Sequence, residues 1–134
     1  VFGAWNTRRY PKLPHLHFLG TIPPSQVLST LRGSTATIQI MPRDYVNRAY
    51  VTLRVLEAGW AGLPLFGDKR INGVGGYVLP ELVVESGEQL AEAFRDLVTW
   101  SVRKRNGCVE RQRALVRQQF SQEVLREQLK AVLG

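Results

Sequence analysis

One carboxylate inside an apolar helical pattern is the first residue that asks for a chemical role. Leu53, Leu56 and Trp60 recur at helical spacing, Val51 and Val55 widen the stripe, and Glu57 sits between Leu56 and Ala58. A charge in such a place is expensive unless it is paired or bound to something. Arg54, three residues earlier, could pair with it on the helix surface. Alternatively, the carboxylate could accept hydrogen bonds from a ligand. Cations gather in two stretches of the N-terminal half. Arg8, Arg9 and Lys12 lie in a loop broken by Pro11 and Pro14, and Arg43 and Arg48 flank Tyr45 and Asn47 just ahead of the helix. Guanidinium groups beside a helix start suit a bound diphosphate. One of Arg8 and Arg9, rather than both, is expected to serve it, and Tyr45 could stack on a base. Arg8, Arg9 and Lys12 could equally be a solvated basic loop, and Tyr45 could equally be core. Tyr50 reads as core.

Other chemistries find no support in the pattern. His15 and His17 share one face of a strand, but no third or fourth ligand lies near them, so a metal site is not expected. There is no paired Asp-x-Asp, because Asp44, Asp68 and Asp96 are isolated. No Ser–His–Asp arrangement is suggested. Cys108 has arginines nearby that would favour a thiolate, yet it reads as an ordinary helix residue. The glycines of 67–76 form neither G-x-G-x-x-G nor a Walker A loop.

The elements that must position these residues alternate between short apolar runs and helical patterns. Val1–Trp5 and His15–Gly20 read as strands, Pro23–Arg32 as an amphipathic helix ended by Gly33, and Ser34–Met41 as a β-branched strand stopped by Pro42. The helix carrying Glu57 ends at Gly62, in the place where a left-handed residue is usually needed, and Pro64 cannot continue it. Leu65-Phe66 and Val83-Val84 are short buried strands. Ser86 with Gln89 makes a capping box opening a helix through Leu90, Phe94, Leu97 and Val98. From Arg103 to Arg117 there are six basic residues and one acid, Glu110, and Gly107 is expected to divide the run into two pieces. Such a run is expected to be a solvated face. A last helix, Ser121–Leu133, shows Val124, Leu125, Leu129, Val132 and Leu133 as its apolar stripe. The pattern predicts an α/β domain with a mainly parallel sheet of about five strands, flanking helices and C-terminal helices.

Length and charge bound the function. The chain has 134 residues, 44% of them hydrophobic, and reads as one domain. It has no apolar run near the roughly 18 residues that a membrane span needs. A single cysteine excludes an internal disulfide and fits a reducing compartment, so a cytoplasmic location is expected. A first residue of Val1, directly in a strand, suggests a fragment or a processed chain. The net charge of +7 is uneven: residues 1–56 carry a balance of +6, 57–94 of −4 and 95–134 of +5. Two basic zones around an acidic middle permit phosphate ligands, nucleic acid or an anionic surface.

Leu56-Glu57-Ala58-Gly59-Trp60-Ala61-Gly62-Leu63-Pro64 resembles the helix-to-strand segment of GT-B-type glycosyltransferases, the nucleotide-sugar-dependent retaining ones. Val1–Trp5, His17–Gly20, Pro24–Leu28 and the segment 85–94 fall in that family's order, and Arg54 ahead of Glu57 makes the group 1, spore-coat-maturation type the nearest. The resemblance implies a Rossmann-like domain spanning 1–134, half of a GT-B fold, without the N-terminal lobe that binds the acceptor. It implies Glu57 as the ligand of ribose hydroxyls, with Thr52 and Leu53 near the diphosphate. Arg8, Arg9, Arg48 or Arg54 would then stabilise the leaving group, and Tyr45 would lie at the nucleotide. Many relatives carry a second glutamate eight positions earlier. Here that position is Ala49, and Val51 stands where they have glycine, so no donor-sugar contact is assigned there. The expected activity is glycosyl transfer from a nucleotide-diphosphate sugar, without metal or further cofactor, completed by a second lobe or partner chain. Two other classes stay open: a DNA-base-modifying glycosyltransferase holding nucleic acid through its basic zones, and a non-catalytic nucleotide-sugar-binding or interaction module.

Overall fold

A computed structural model describes His17 and residues 20–41, 43–48 and 51–133. The proposed strand at Val1–Trp5, the one at His15–Gly20 apart from His17 and Gly20, and the loop bearing Arg8, Arg9 and Lys12 lie outside the described residues, as do Ala49 and Tyr50. What is described is a mixed α/β domain. Its elements run α1 (Pro24–Arg32), β1 (Thr37–Gln39), α2 (Arg43–Val46), α3 (Leu53–Ala61), β2 (Leu65–Asp68), β3 (Val83–Val84), α4 (Gly87–Thr99), α5 (Val102–Phe120) and α6 (Gln122–Leu133). Among the described residues the sheet has three strands in the order β1-β2-β3, all parallel. Thr37 pairs with Leu65, Ile38 with Phe66 and Gln39 with Gly67, while Gly67 and Asp68 pair with Val83 and Val84.

The central helix forms where the apolar period places it, and its stop has a clear backbone cause. Gly62 is left-handed at φ 75, and its N–H and that of Leu63 return to the carbonyls of Gly59 and Ala58. Which face it buries differs from the sequence expectation. Val55 and Ala58 are buried, with Val51 packed beside them, whereas Leu53 is 70% and Trp60 62% exposed. The stripe is rotated because the sheet sits under the Val51–Val55–Ala58 line. There the small Ala58 lets helix and strand approach closely. The strand from Ser34 to Met41 contracts to Thr37–Gln39, and β2 extends past Phe66 to Asp68. Gly67 is needed inside β2: a Cβ there would meet Val74 Cγ2 at 2.6 Å and Val78 Cγ2 at 2.9 Å.

Capping follows the expected residues. The Ser86 hydroxyl accepts the Gln89 N–H at 3.2 Å, and Gln89 Oε1 returns to accept the Glu85 N–H at 2.7 Å. Ser101 and Ser121 cap α5 and α6 in the same way, accepting from Lys104 and Val124.

One expectation for the basic run is corrected. Gly107 does not divide it: α5 is one continuous 19-residue helix. A single interior glycine costs about 1 kcal/mol relative to alanine, and the neighbours that α5 buries, Cys108, Val109 and Gln112, outweigh it. Arg103, Lys104, Arg111 and Arg117 are exposed, as a solvated charged face would have them, while the uncharged side of the helix turns inward. Its inner side closes the core over Val55, Leu65, Phe66, Tyr77, Leu82 and Leu97. Arg113 Nε donates to the Gly59 carbonyl at 2.8 Å, and Arg111 pairs with Glu81. Burial pushes the Cys108 thiol above its ordinary pKa, and Glu81 adds to the shift. The side chain is packed in the core, 1% exposed.

Gln112 is the polar group on that inner side. It is 1% exposed, and its Oε1 accepts the Leu65 N–H at 3.0 Å, a donor that the short β3 does not reach. Replacing Gln112 by Met keeps the volume but strands that N–H. The expected cost is about 1–3 kcal/mol in denaturant unfolding, against a near-neutral Arg103→Gln on the exposed side.

Candidate functional site

The connections that leave the carboxyl ends of parallel strands are where such sheets bind ligands. Beyond β1 come α2, the turn at Asn47 and Arg48, and the start of α3; beyond β2 come Lys69 and Arg70. Asp44 and Arg43 open α2, which is a single turn. The Asn72 N–H donates to the Val46 carbonyl at 2.9 Å, tying α2 to the turn after β2. Tyr45 projects from this turn with 48% of its surface exposed. The Arg48 guanidinium sits 5.8 Å from its ring centre, a cation–π distance.

Thr52 begins α3 in an extended conformation (φ −86, ψ 158), but its side chain does not cap the helix, and its buried hydroxyl oxygen has no hydrogen-bond partner. Leu53 points outward at the first helical position. One turn further, Arg54 Nη1 lies 3.0 Å from Glu57 Oε2, with the two side chains 27% and 20% exposed. The helix-pair reading of Glu57 therefore describes its contact here. The ion pair is half-screened and contributes of the order of 0.5 kcal/mol. A carboxylate has about four lone-pair sites, so one guanidinium contact does not exhaust it.

The structure thus groups the expected residues in two pairs, Tyr45 with Arg48 and Arg54 with Glu57, with Thr52 and Leu53 at the start of α3. Arg8 and Arg9 lie outside the described residues. Sequence reasoning missed three groups. Gln39, the last residue of β1, is 2% exposed, and neither atom of its amide has a good hydrogen bond. The Tyr77 side chain lies beside it, equally buried. Burial pushes that hydroxyl above its ordinary pKa, and Gln39 offsets part of the shift. A glutamine in a run otherwise β-branched or apolar, Thr37-Ile38-Gln39-Ile40, is the only signal that could have drawn attention to it.

The third is Asp68, which belongs to no Asp-x-Asp pair but is bound by Arg70. Both its oxygens take Arg70 Nε, at 2.9 and 3.0 Å, and Oδ1 also accepts the Arg70 N–H. These bonds hold the carboxyl below its ordinary pKa, against partial burial. The stabilisation is present above the ordinary carboxyl value of about 3.9 and is lost as pH falls through the lower folded value. Urea midpoints followed from neutral pH into acid should fall less steeply in Asp68→Asn than in the wild type. Equal slopes would remove Asp68 from the acid transition.

The chain matches no family model, no curated protein and no solved structure.

Proposed function

We propose that this chain binds a nucleotide-diphosphate sugar and supplies the donor half of a metal-independent glycosyltransferase of the GT-B type. The observation that carries the reading is the crossover from β1 to β2. α3 starts beyond the carboxyl end of a parallel strand with no side-chain cap, and it presents a carboxylate one turn in. The positive end of a helix dipole favours a diphosphate. Arg48 and Arg54 add fixed cations, and Tyr45 offers an aromatic face to a base. Glu57 accepts ribose hydroxyls on the lone pairs that Arg54 leaves open. As the diphosphate departs it gains charge, so cations placed here stabilise the transition state more than the ground state. The acceptor comes from a second lobe or partner chain, and the setting is cytoplasmic.

Calorimetry with UDP, GDP, ADP and dTDP tests the site, since it requires one of them to bind. Glu57→Gln should then weaken that nucleotide by about 1.5–3 kcal/mol, the range for hydrogen bonds to a charged group, with the melting temperature nearly unchanged. No binding by any of the four, or a fall in melting temperature without loss of affinity, returns Glu57 to a purely structural pair.

A nucleic-acid reading has one specific observation in its favour. Arg103, Lys104 and Arg111 line a cleft along the outer side of α5, and Lys104 Nζ lies 4.1 Å from the Trp100 ring centre. If the cleft holds phosphates, Arg103→Glu with Lys104→Glu lowers the salt slope of duplex binding by roughly 0.9 for each lost contact. An unchanged slope leaves the cleft as a solvated face, the outcome expected here.

A further inference from the structure

The sequence contains two Asn-Gly pairs, Asn72-Gly73 and Asn106-Gly107, and the fold treats them differently. All four residues are exposed, so access to water does not separate them. Their backbone surroundings do. Gly107 is interior to α5, where an N–H is bonded four residues back and the main chain is held in the helical conformation. Asn72-Gly73 is instead the middle of a turn closed by the Val74 N–H on the Ile71 carbonyl at 3.1 Å, with Gly73 at φ 77, ψ 7. Ile71 and Val74 are buried and pin the ends of the turn, so its tip stands in water. The N–H of the central peptide lies outside the closing bond, and among the described residues the Gly73 N–H makes no hydrogen bond.

Asparagine is among the chemically labile residues, and this setting leaves it open to its own main chain. The Gly73 nitrogen can attack the Asn72 side-chain carbonyl, since glycine has no Cβ to block the approach. The new N–Cγ bond closes a five-membered imide, the Cγ–Nδ2 bond breaks, and ammonia leaves carrying the Gly73 amide proton. Water then opens the imide at either carbonyl. One opening gives aspartate; the other routes the main chain through the side-chain carbon as isoaspartate. No other reactant is needed. The leaving nitrogen is weakly held, because Asn72 Nδ2 reaches only the Asn47 carbonyl, at 3.5 Å, the outer limit of a hydrogen bond.

We propose that Asn72 is a self-modifying site: the folded chain converts it to aspartate and isoaspartate, while α5 protects Asn106. Conversion sets a carboxylate against the Asn47 carbonyl and removes the donor that the side chain offered it. In the isoaspartyl form the main chain gains a carbon next to the Asn72 N–H, which bonds the Val46 carbonyl at 2.9 Å. The tie between this turn and α2 is what the modification loosens.

Incubation of the folded chain in warm, mildly alkaline buffer tests this, with tryptic peptides read by mass spectrometry. Peptide 71–95 reports Asn72 and peptide 106–111 reports Asn106, and neither holds another asparagine. From the folded chain, 71–95 should gain one mass unit at least about tenfold faster than 106–111, because the helix must first open locally at Gly107. Part of the gain should be isoaspartate, detected by enzymatic methylation. In urea, where the helix is lost, the two peptides should convert at similar rates. Asn72→Gln should abolish the gain in 71–95 and leave 106–111 unchanged. Folded-state rates that are equal, or faster at Asn106, overturn the proposal. So does a 71–95 peptide that converts in urea but not in the folded chain, a gain without isoaspartate, or a gain that survives Asn72→Gln.

Discussion

The whole arrangement hangs on how β2 is closed from above. A parallel strand needs partners on both edges and cover on its faces, and β3 pairs only its last two residues. The Leu65 N–H, at the start of the strand, would otherwise be a buried donor without an acceptor. Gln112 of α5 supplies that acceptor, and in doing so fixes where α5 lies and in what rotation. With Gln112 inward, Cys108 and Val109 must also face the core, while Arg103, Lys104 and Arg111 must face out. One hydrogen bond between distant parts of the chain thus sorts a highly basic helix into a core side and a charged side.

That placement reaches the candidate site through α3. Arg113 lies one position past Gln112 and bonds the Gly59 carbonyl near the end of α3. Together with the Gly62 stop, this holds the helix that carries Arg54 and Glu57. Its opposite end is different in character. Thr52 is there without capping, and the turn from Tyr45 to Arg48 is secured by Asn72 rather than by a core of its own. A helix held firmly at its C-terminal end, with an uncapped start beyond the sheet, is suited to accept an anion there. Charge on the neighbouring strand is already neutralised, because Asp68 is occupied by Arg70.

Large exposed apolar side chains lie at that edge, at Ile40, Tyr45 and Leu53, and also away from it, at Trp60, on α4 at Phe94 and Val98, and on α6 at Leu125 and Leu129. α5 is held down through Gln112, and among the described residues the groove between its last turns and α3 is open. α6 packs chiefly on α5, and its Leu125 and Leu129 stay 45% and 60% exposed among the described residues.

Local interactions made much of the fold legible from sequence alone. The α3 span, its left-handed Gly62 stop, the Ser86–Gln89 cap, the helix ended by Gly33 and the α6 stripe all depend on residues within a few positions of one another. The parallel α/β class followed from the alternation of these patterns, and the i, i+3 pairing of Arg54 with Glu57 was one of two readings open from the start. Tertiary structure decided the rest. Which side of α3 is buried could not be read, because Leu53, Leu56 and Trp60 are as apolar as Val51, Val55 and Ala58; only the closeness of the sheet selects the smaller set. Gly107 looked like a break because its cost is local, whereas the packing that overrides it comes from β2 and the turn at Tyr77. Gln39, Gln112 and the Asp68–Arg70 pair were silent for a related reason. A polar residue declares no partner in sequence, and whether it is solvated, orphaned or central to the core depends on what the fold brings against it.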